Sequence, residues 1–178
     1  MSISQVRSET HSHCETPEHA LSAESDAGLR TCEEFEFVAN APMDRVFPLF
    51  GAEKERVWAE GWNPRFVWPV NAEDREGMIF QIAHDNRTAT WVNTLFDREA
   101  GRIQYVYILP ETVATVITLR LTARHDSTHV SVRYERTSLS TVANAVVRNM
   151  GDHDKLAGPE WQAQINRYLA KDSHPETR

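Results

Sequence analysis

The spacing of apolar positions changes twice in the first third of the chain. In "EFEFVAN" (34–40), Phe35, Phe37 and Ala39 alternate with Glu34, Glu36 and Val38, the two-residue period of a strand with one wet face. Pro42 then suits the first position of a helix. Met43, Val46, Phe47 and Phe50 fall at i, i+3, i+4 and i+7, a helical stripe. Pro48 inside it predicts a short or kinked helix. A second helix is expected over 52–60, in "EKERVWAEGWNP" (53–64). With Gly61 left-handed just past its end, Trp62 would fold back onto Val57, and Asn63-Pro64 would keep the helix from resuming.

From 65 to 137 the period is that of strands: "RFVWPV", "GMIFQIAH", "RTATWVNTLFD", "GRIQYVYIL", "TVATVITLRLTARH" and "THVSVRYERT". Turn residues separate them, and such short connections imply antiparallel hairpins. Ile103, Tyr105 and Tyr107 share one face, as do Ile117, Leu119 and Leu121, and Val130, Val132 and Tyr134. The chain closes on a long helical pattern over 139–170. Val142, Ala145, Val146, Asn149, Met150 and His153 form its stripe, which continues through Ala157, Trp161, Ile165 and Tyr168. Gly158-Pro159 predicts a kink in a single helix.

Composition trims this picture at both ends. Residues 1–32 and 171–178 are rich in Ser, Glu, Thr and His and poor in large apolar groups, so disordered tails are expected around a folded unit at 33–170. The net charge is -7, with 26 acidic against 19 basic side chains and no basic run, which argues against nucleic acid as a partner. No stretch is apolar enough for a signal peptide or a membrane span, and the two cysteines, Cys14 and Cys32, lie in or beside the tail. The expectation is a soluble cytoplasmic protein with reduced thiols. The spacing of His11, His13, Cys14 and His19 invites a metal reading, but no second cluster completes a site. The expectation is therefore no metal and no cofactor. No nucleophile elbow, Walker loop or dinucleotide glycine pattern is present.

One strand, two short helices, about six antiparallel strands and a long amphipathic helix make an order that resembles the helix-grip fold of the START-like, or SRPBCC, superfamily. Birch-pollen-type allergens, polyketide cyclases and lipid-transfer domains belong to it. "F-VANAPMDRVFPLF" is similar to the family's first strand and helix. Glu55, Trp58, Gly61 and Trp62 resemble a Glu-x-x-Trp-x-x-Gly-Trp pattern of some bacterial members. "TATWVNTLFD" and "THVSVRYERTSLS" resemble its middle and last strands. The resemblance implies an α+β domain, a curved antiparallel sheet of about seven strands wrapped around a long C-terminal helix, with a cavity between them.

In such a cavity the concave face would present Trp91, Tyr105, Tyr107 and Tyr134, and the helix Asn149, Met150 and His153. Trp58 and Trp62 would stand near the mouth. Each has a plainer reading. The tryptophans also serve as plugs between helices and sheet, and the tyrosine hydroxyls find partners within the protein. His153, flanked by Asp152 and Asp154, also fits an exposed helix edge. The resemblance implies a hydrophobic small molecule as partner and binding rather than catalysis. A cyclase-type enzyme, with His153 as its general acid or base, and a chaperone-regulator-like interaction module are the alternatives. Oligomeric state is left open.

Overall fold

The structure, a computed structural model, describes residues 28–172. The expected tails, and with them His11, His13, Cys14 and His19, lie almost wholly outside the described residues. Seven strands form one antiparallel sheet: β1 (Arg30–Ala39), β2 (Arg65–Trp68), β3 (Ile79–His84), β4 (Arg87–Asp97), β5 (Arg102–Leu109), β6 (Val113–Arg124) and β7 (Ser127–Ser138). They lie in the order β1-β7-β6-β5-β4-β3-β2, so all neighbours but one are consecutive hairpins. The exception closes the fold: β1 pairs along its whole length with β7, Arg30 opposite Thr137 and Ala39 opposite Thr128.

β1 starts four residues ahead of the alternation that announced it, and so takes in Cys32. That residue is disulfide-bonded, against the reduced thiol expected from the sequence. The alternation holds within the strands. Phe35, Phe37, Ile103, Tyr105, Ile117, Leu119, Leu121, Val130 and Val132 are buried together in one core. Each such side chain contributes about 1.5–3 kcal/mol on leaving water. The β6 strand passes so close to the turn before β5 that a Cβ on Gly101 would lie 2.3 Å from the Leu121 carbonyl oxygen. Only glycine fits there, and its φ of 63° suits it.

Between β1 and β2 lie a one-turn helix, α1 (Met43–Val46), and two 3₁₀ turns, Phe47–Phe50 and Lys54–Val57. The expected helix over 52–60 is thus a single tight turn. Gly61 is left-handed as expected, with φ of 78°, but Trp62 does not fold back on Val57. Val57 is exposed at 47%, and the Trp62 ring goes instead to Phe80 and Trp91. Aromatic partners on the sheet offer far more contact area than one valine.

The C-terminal pattern forms two helices rather than one kinked helix: α2 (Asn144–Asp154) and α3 (Ala157–Asp172), after a 3₁₀ turn at Thr141–Ala143. A continuous helix would drive the Pro159 ring into the Lys155 carbonyl four residues earlier, and the break falls at Lys155 and Leu156. The inward stripe of α2 is also displaced from the expected one. Ala143, Val147, Gly151 and Asp154 are buried, whereas Val142 is 87% exposed and Ala145, Val146, Asn149 and His153 are exposed as well. Gly151 is inward because a Cβ there would already stand 3.2 Å from Thr31 on β1. Gly158 sits equally close, 3.3 Å from the Glu36 carbonyl oxygen and 3.4 Å from the Phe35 ring.

β1 is an edge strand, with free backbone groups on its outer side, and α3 occupies several of them. The Val38 N–H donates to Gln162 Oε1 (3.1 Å) and the Asn40 N–H to Asn166 Oδ1 (2.7 Å). Asn166 Nδ2 donates back to the Val38 carbonyl (3.0 Å). The edge is blunted and the helix is registered on the sheet by the same bonds.

Candidate functional site

Between the concave sheet, the 3₁₀ turns and α3 lies a cavity of about 680 Å³. Its position follows from how the turns at 47–62 are fastened. Tyr105, buried on β5, donates its hydroxyl to the Phe50 carbonyl (2.9 Å). Trp58 Nε1 donates to the Leu49 carbonyl and Trp62 Nε1 to the Ala52 carbonyl, each at 2.7 Å. Each indole therefore satisfies its one donor on the turn just before it, and its flat face is left for the neighbours on the other side. Structural plug and cavity wall are two sides of the same ring.

The walls are aromatic. Trp58 meets Trp161 of α3 edge-on at 5.3 Å, and Trp62 meets Trp91 of β4 edge-on at 5.4 Å. Phe80 of β3 stacks on Trp91 at 5.5 Å. Tyr105, Tyr134, Ile117 and Leu119 complete the sheet side, and Ala157 the helix side. The rim is polar: Glu60, His84, His153 and Glu160 line the cavity and are exposed.

Two charged constellations reach the interior. Arg136 of β7 holds Asp154, the last residue of α2, through two hydrogen bonds, Nε to Oδ2 at 2.6 Å and Nη2 to Oδ1 at 2.9 Å. Its Nη1 donates to Thr115 Oγ1 at 3.2 Å, and the guanidinium lies 4.6 Å over the Tyr134 ring. Burial by itself would push the guanidinium down, but the Asp154 hydrogen bonds and charge, with smaller help from Tyr134 and Tyr107, together outweigh it and the net shift is upward. The second constellation is Glu55 with Asp74. Burial raises the Glu55 carboxyl well above its ordinary range, and the nearby Asp74 charge raises it further. No side-chain hydrogen bond or ion pair holds Glu55 among the described residues.

Asp74 is raised to about 6, mainly by burial, against the opposing pull of the Ala52 and Glu53 N–H groups that it accepts. It reaches those groups because residue 51 is glycine. A Cβ there would lie 2.0 Å from Asp74 Oδ2. Tyr105 is raised by burial and, less, by the charges of Glu55 and Asp74. Tyr134 lies well above its ordinary value, again chiefly through burial. Both hydroxyls therefore remain protonated donors.

Of the nine residues singled out in the sequence, Trp58, Trp62, Trp91, Tyr105, Tyr134 and His153 line this cavity. Tyr107 does not. It stands behind the wall, stacked on Trp91 at 4.7 Å, in a second apolar cluster with Leu109, Val113 and Val147. Asn149 and Met150 line an adjoining shallow depression that shares Arg136, His153 and Asp154 with the cavity. Glu55, Asp74, Phe80, Arg136, Asp154 and Trp161 were not anticipated as site residues. Arg136 carried a signal: it continues the two-residue period of Val130, Val132 and Tyr134 and so sets a charge on the apolar face.

No protein-family model and no curated protein matches the sequence. Solved structures do match. Norcoclaurine synthase from Thalictrum flavum aligns with a TM-score of 0.59 at 13% identity, over 91% of this chain and 97% of that one. The MLL2253 protein from Mesorhizobium loti aligns with a TM-score of 0.59 at 16% identity, over 79% and 98%. Ara h 8.0201 aligns with a TM-score of 0.56 at 9% identity, over 79% and 99%. At such identities the likeness is one of architecture. What these structures share with the chain is the helix-grip fold.

Proposed function

We propose that the protein binds a small aromatic or amphipathic molecule in the cavity between the sheet and α3. The observation that carries this is the wall itself. Trp58, Trp62, Phe80, Trp91, Tyr105 and Trp161 surround about 680 Å³ that no side chain fills. That volume is within the range of ligand pockets, and an apolar wall with few polar groups is what recognition of a small molecule requires. The open cavity also favours this reading over that of an interaction module using the outer sheet face. His153 lines the cavity from the exposed rim, which gives less support to a general base there than a buried position would.

The test is isothermal titration calorimetry with tryptophol, a neutral indole with a short hydroxyl tail. Binding at 1:1 is expected, weakened about tenfold by Trp91→Ala or Trp62→Ala and unchanged by Trp68→Ala on the far edge. Loss of affinity with Trp68→Ala but not with Trp91→Ala would place the binding elsewhere.

One observation favours acid–base turnover in the same cavity, the raised carboxyl of Glu55 on its lining, with Asp74 nearby outside it. That reading requires a substrate whose conversion is lost with Glu55→Gln. Retention of full turnover by that variant would remove it.

A further inference from the structure

The cavity holds a charge pattern that aromatic binding alone does not use. Its lining contains four carboxylates, Glu55, Glu60, Asp154 and Glu160, against one guanidinium, Arg136. Asp154 and Arg136 neutralise each other through their paired hydrogen bonds. The remaining three carboxylates have no Lys or Arg partner within the lining. Two of them stand on the exposed rim, where they act on approach; Glu55 stands inside among the rings. We infer that the cavity takes an organic cation, a protonated amine carried on an aromatic or apolar body, with Glu55 as its counter-charge and the indoles of Trp58, Trp62 and Trp91 as its cage.

The chemistry is that of cation recognition. Aromatic faces carry negative potential, and a cation over indole gains more when desolvated than at an exposed site. A carboxylate without a partner inside an apolar site is costly, and a cationic guest removes that cost. Glu55 is set for this by its backbone. Its carbonyl accepts the N–H of Trp58 (3.2 Å) and of Ala59 (2.8 Å), so carboxyl and indole ring issue from one turn. For an anionic guest the one guanidinium of the lining, Arg136, already has its charge paired with Asp154.

A proton balance follows. Asp74 on the neighbouring loop, Tyr105 and Tyr134 on the sheet, Arg136 with Asp154, and the rim groups Glu60, Glu160, His84 and His153 surround Glu55. Burial and Asp74 hold Glu55 toward its neutral form in the empty cavity. A cation beside it favours the ionised form, so binding displaces the Glu55 proton to solvent. Affinity for the cation therefore rises with pH through the range in which free Glu55 still carries its proton.

This inference rests on the cavity being a binding site, and one probe pair separates the two ideas. Tryptamine and tryptophol share the indole and the two-carbon tail and differ in ammonium against hydroxyl. Calorimetry at pH 6 in buffers of different ionisation enthalpy is expected to show tryptamine about tenfold tighter, with protons released on binding. Glu55→Gln is expected to bring the ratio of the two affinities close to one, while Glu73→Gln, an exposed carboxylate outside the cavity, keeps it. Equal affinities for the two probes, no proton release, or a ratio that survives Glu55→Gln would overturn the cation inference and leave the cavity reading intact. Binding of neither probe would overturn both. The proton count is read on the unaltered protein and needs no variant to fold.

Discussion

Asp74 touches the backbone through a gap that only glycine leaves. Its carboxyl accepts the Ala52 and Glu53 N–H groups over Gly51, yet burial lifts it to about 6 from an ordinary 3.8. A carboxyl whose folded value is raised binds its proton more tightly in the folded state. It therefore favours folding below about pH 4 and loses that contribution as pH rises through 6. Asp74→Asn keeps an acceptor for the backbone and removes the charge. The expected outcome is a gain of about 1–2 kcal/mol above pH 7, after allowance for its solvent-facing side, shrinking to nothing at pH 4 in urea melts. A gain at pH 4 as large as at pH 7 would show that charge is not the cause. The tryptophans are legible from spacing alone, but the sequence does not say where their N–H groups go. Trp58 and Trp62 resolve this by donating to carbonyls nine and ten residues earlier, across a turn too irregular for a periodic pattern to reveal.

The weld between α2 and the sheet is the Arg136–Asp154 pair, whose side chains keep only 10% and 7% of their exposure. Removing one partner of a buried pair leaves the other charged and unsolvated. Asp154→Asn is expected to cost about 3–5 kcal/mol in equilibrium unfolding, and Arg136→Met with Asp154→Leu to recover most of it. A cost below about 1 kcal/mol for the single change would mean that the pair does not fasten the helix. This element also shows what periodicity misses. The sequence stripe Val142, Ala145, Val146, Asn149 and His153 follows apolar side chains, whereas the helix buries Gly151 for closeness to Thr31 and Asp154 for its partner. A glycine and an aspartate do not register as an inward face. In α3 the expected stripe of Ala157, Trp161, Ile165 and Tyr168 does pack on the core, because its inward groups are mostly large.

The architecture as a whole was far more legible than the site. Six runs of alternating residues, each ended by turn chemistry, fixed six strands to within a few residues, and their short links fixed the antiparallel order. The cavity depends on something no local pattern holds: the distance at which α3 stands from β4 and β3, set by Trp161, by the bonds of Gln162 and Asn166 to β1, and by the glycines at 151 and 158. Those contacts bring Glu55, Arg136 and Asp154 to one space from three distant parts of the chain. The chain has five tryptophans, and this gives a direct test of the hollow. Trp58, Trp62, Trp91 and Trp161 line it, while Trp68 lies on the edge strand β2, 47% exposed. In a nitrogen-15 correlation spectrum the five indole N–H signals are read separately during titration with tryptophol. The expected result is saturable movement of the four cavity signals with Trp68 stationary. Movement of Trp68 alone, or of none at saturating probe, would contradict a cavity open to a guest.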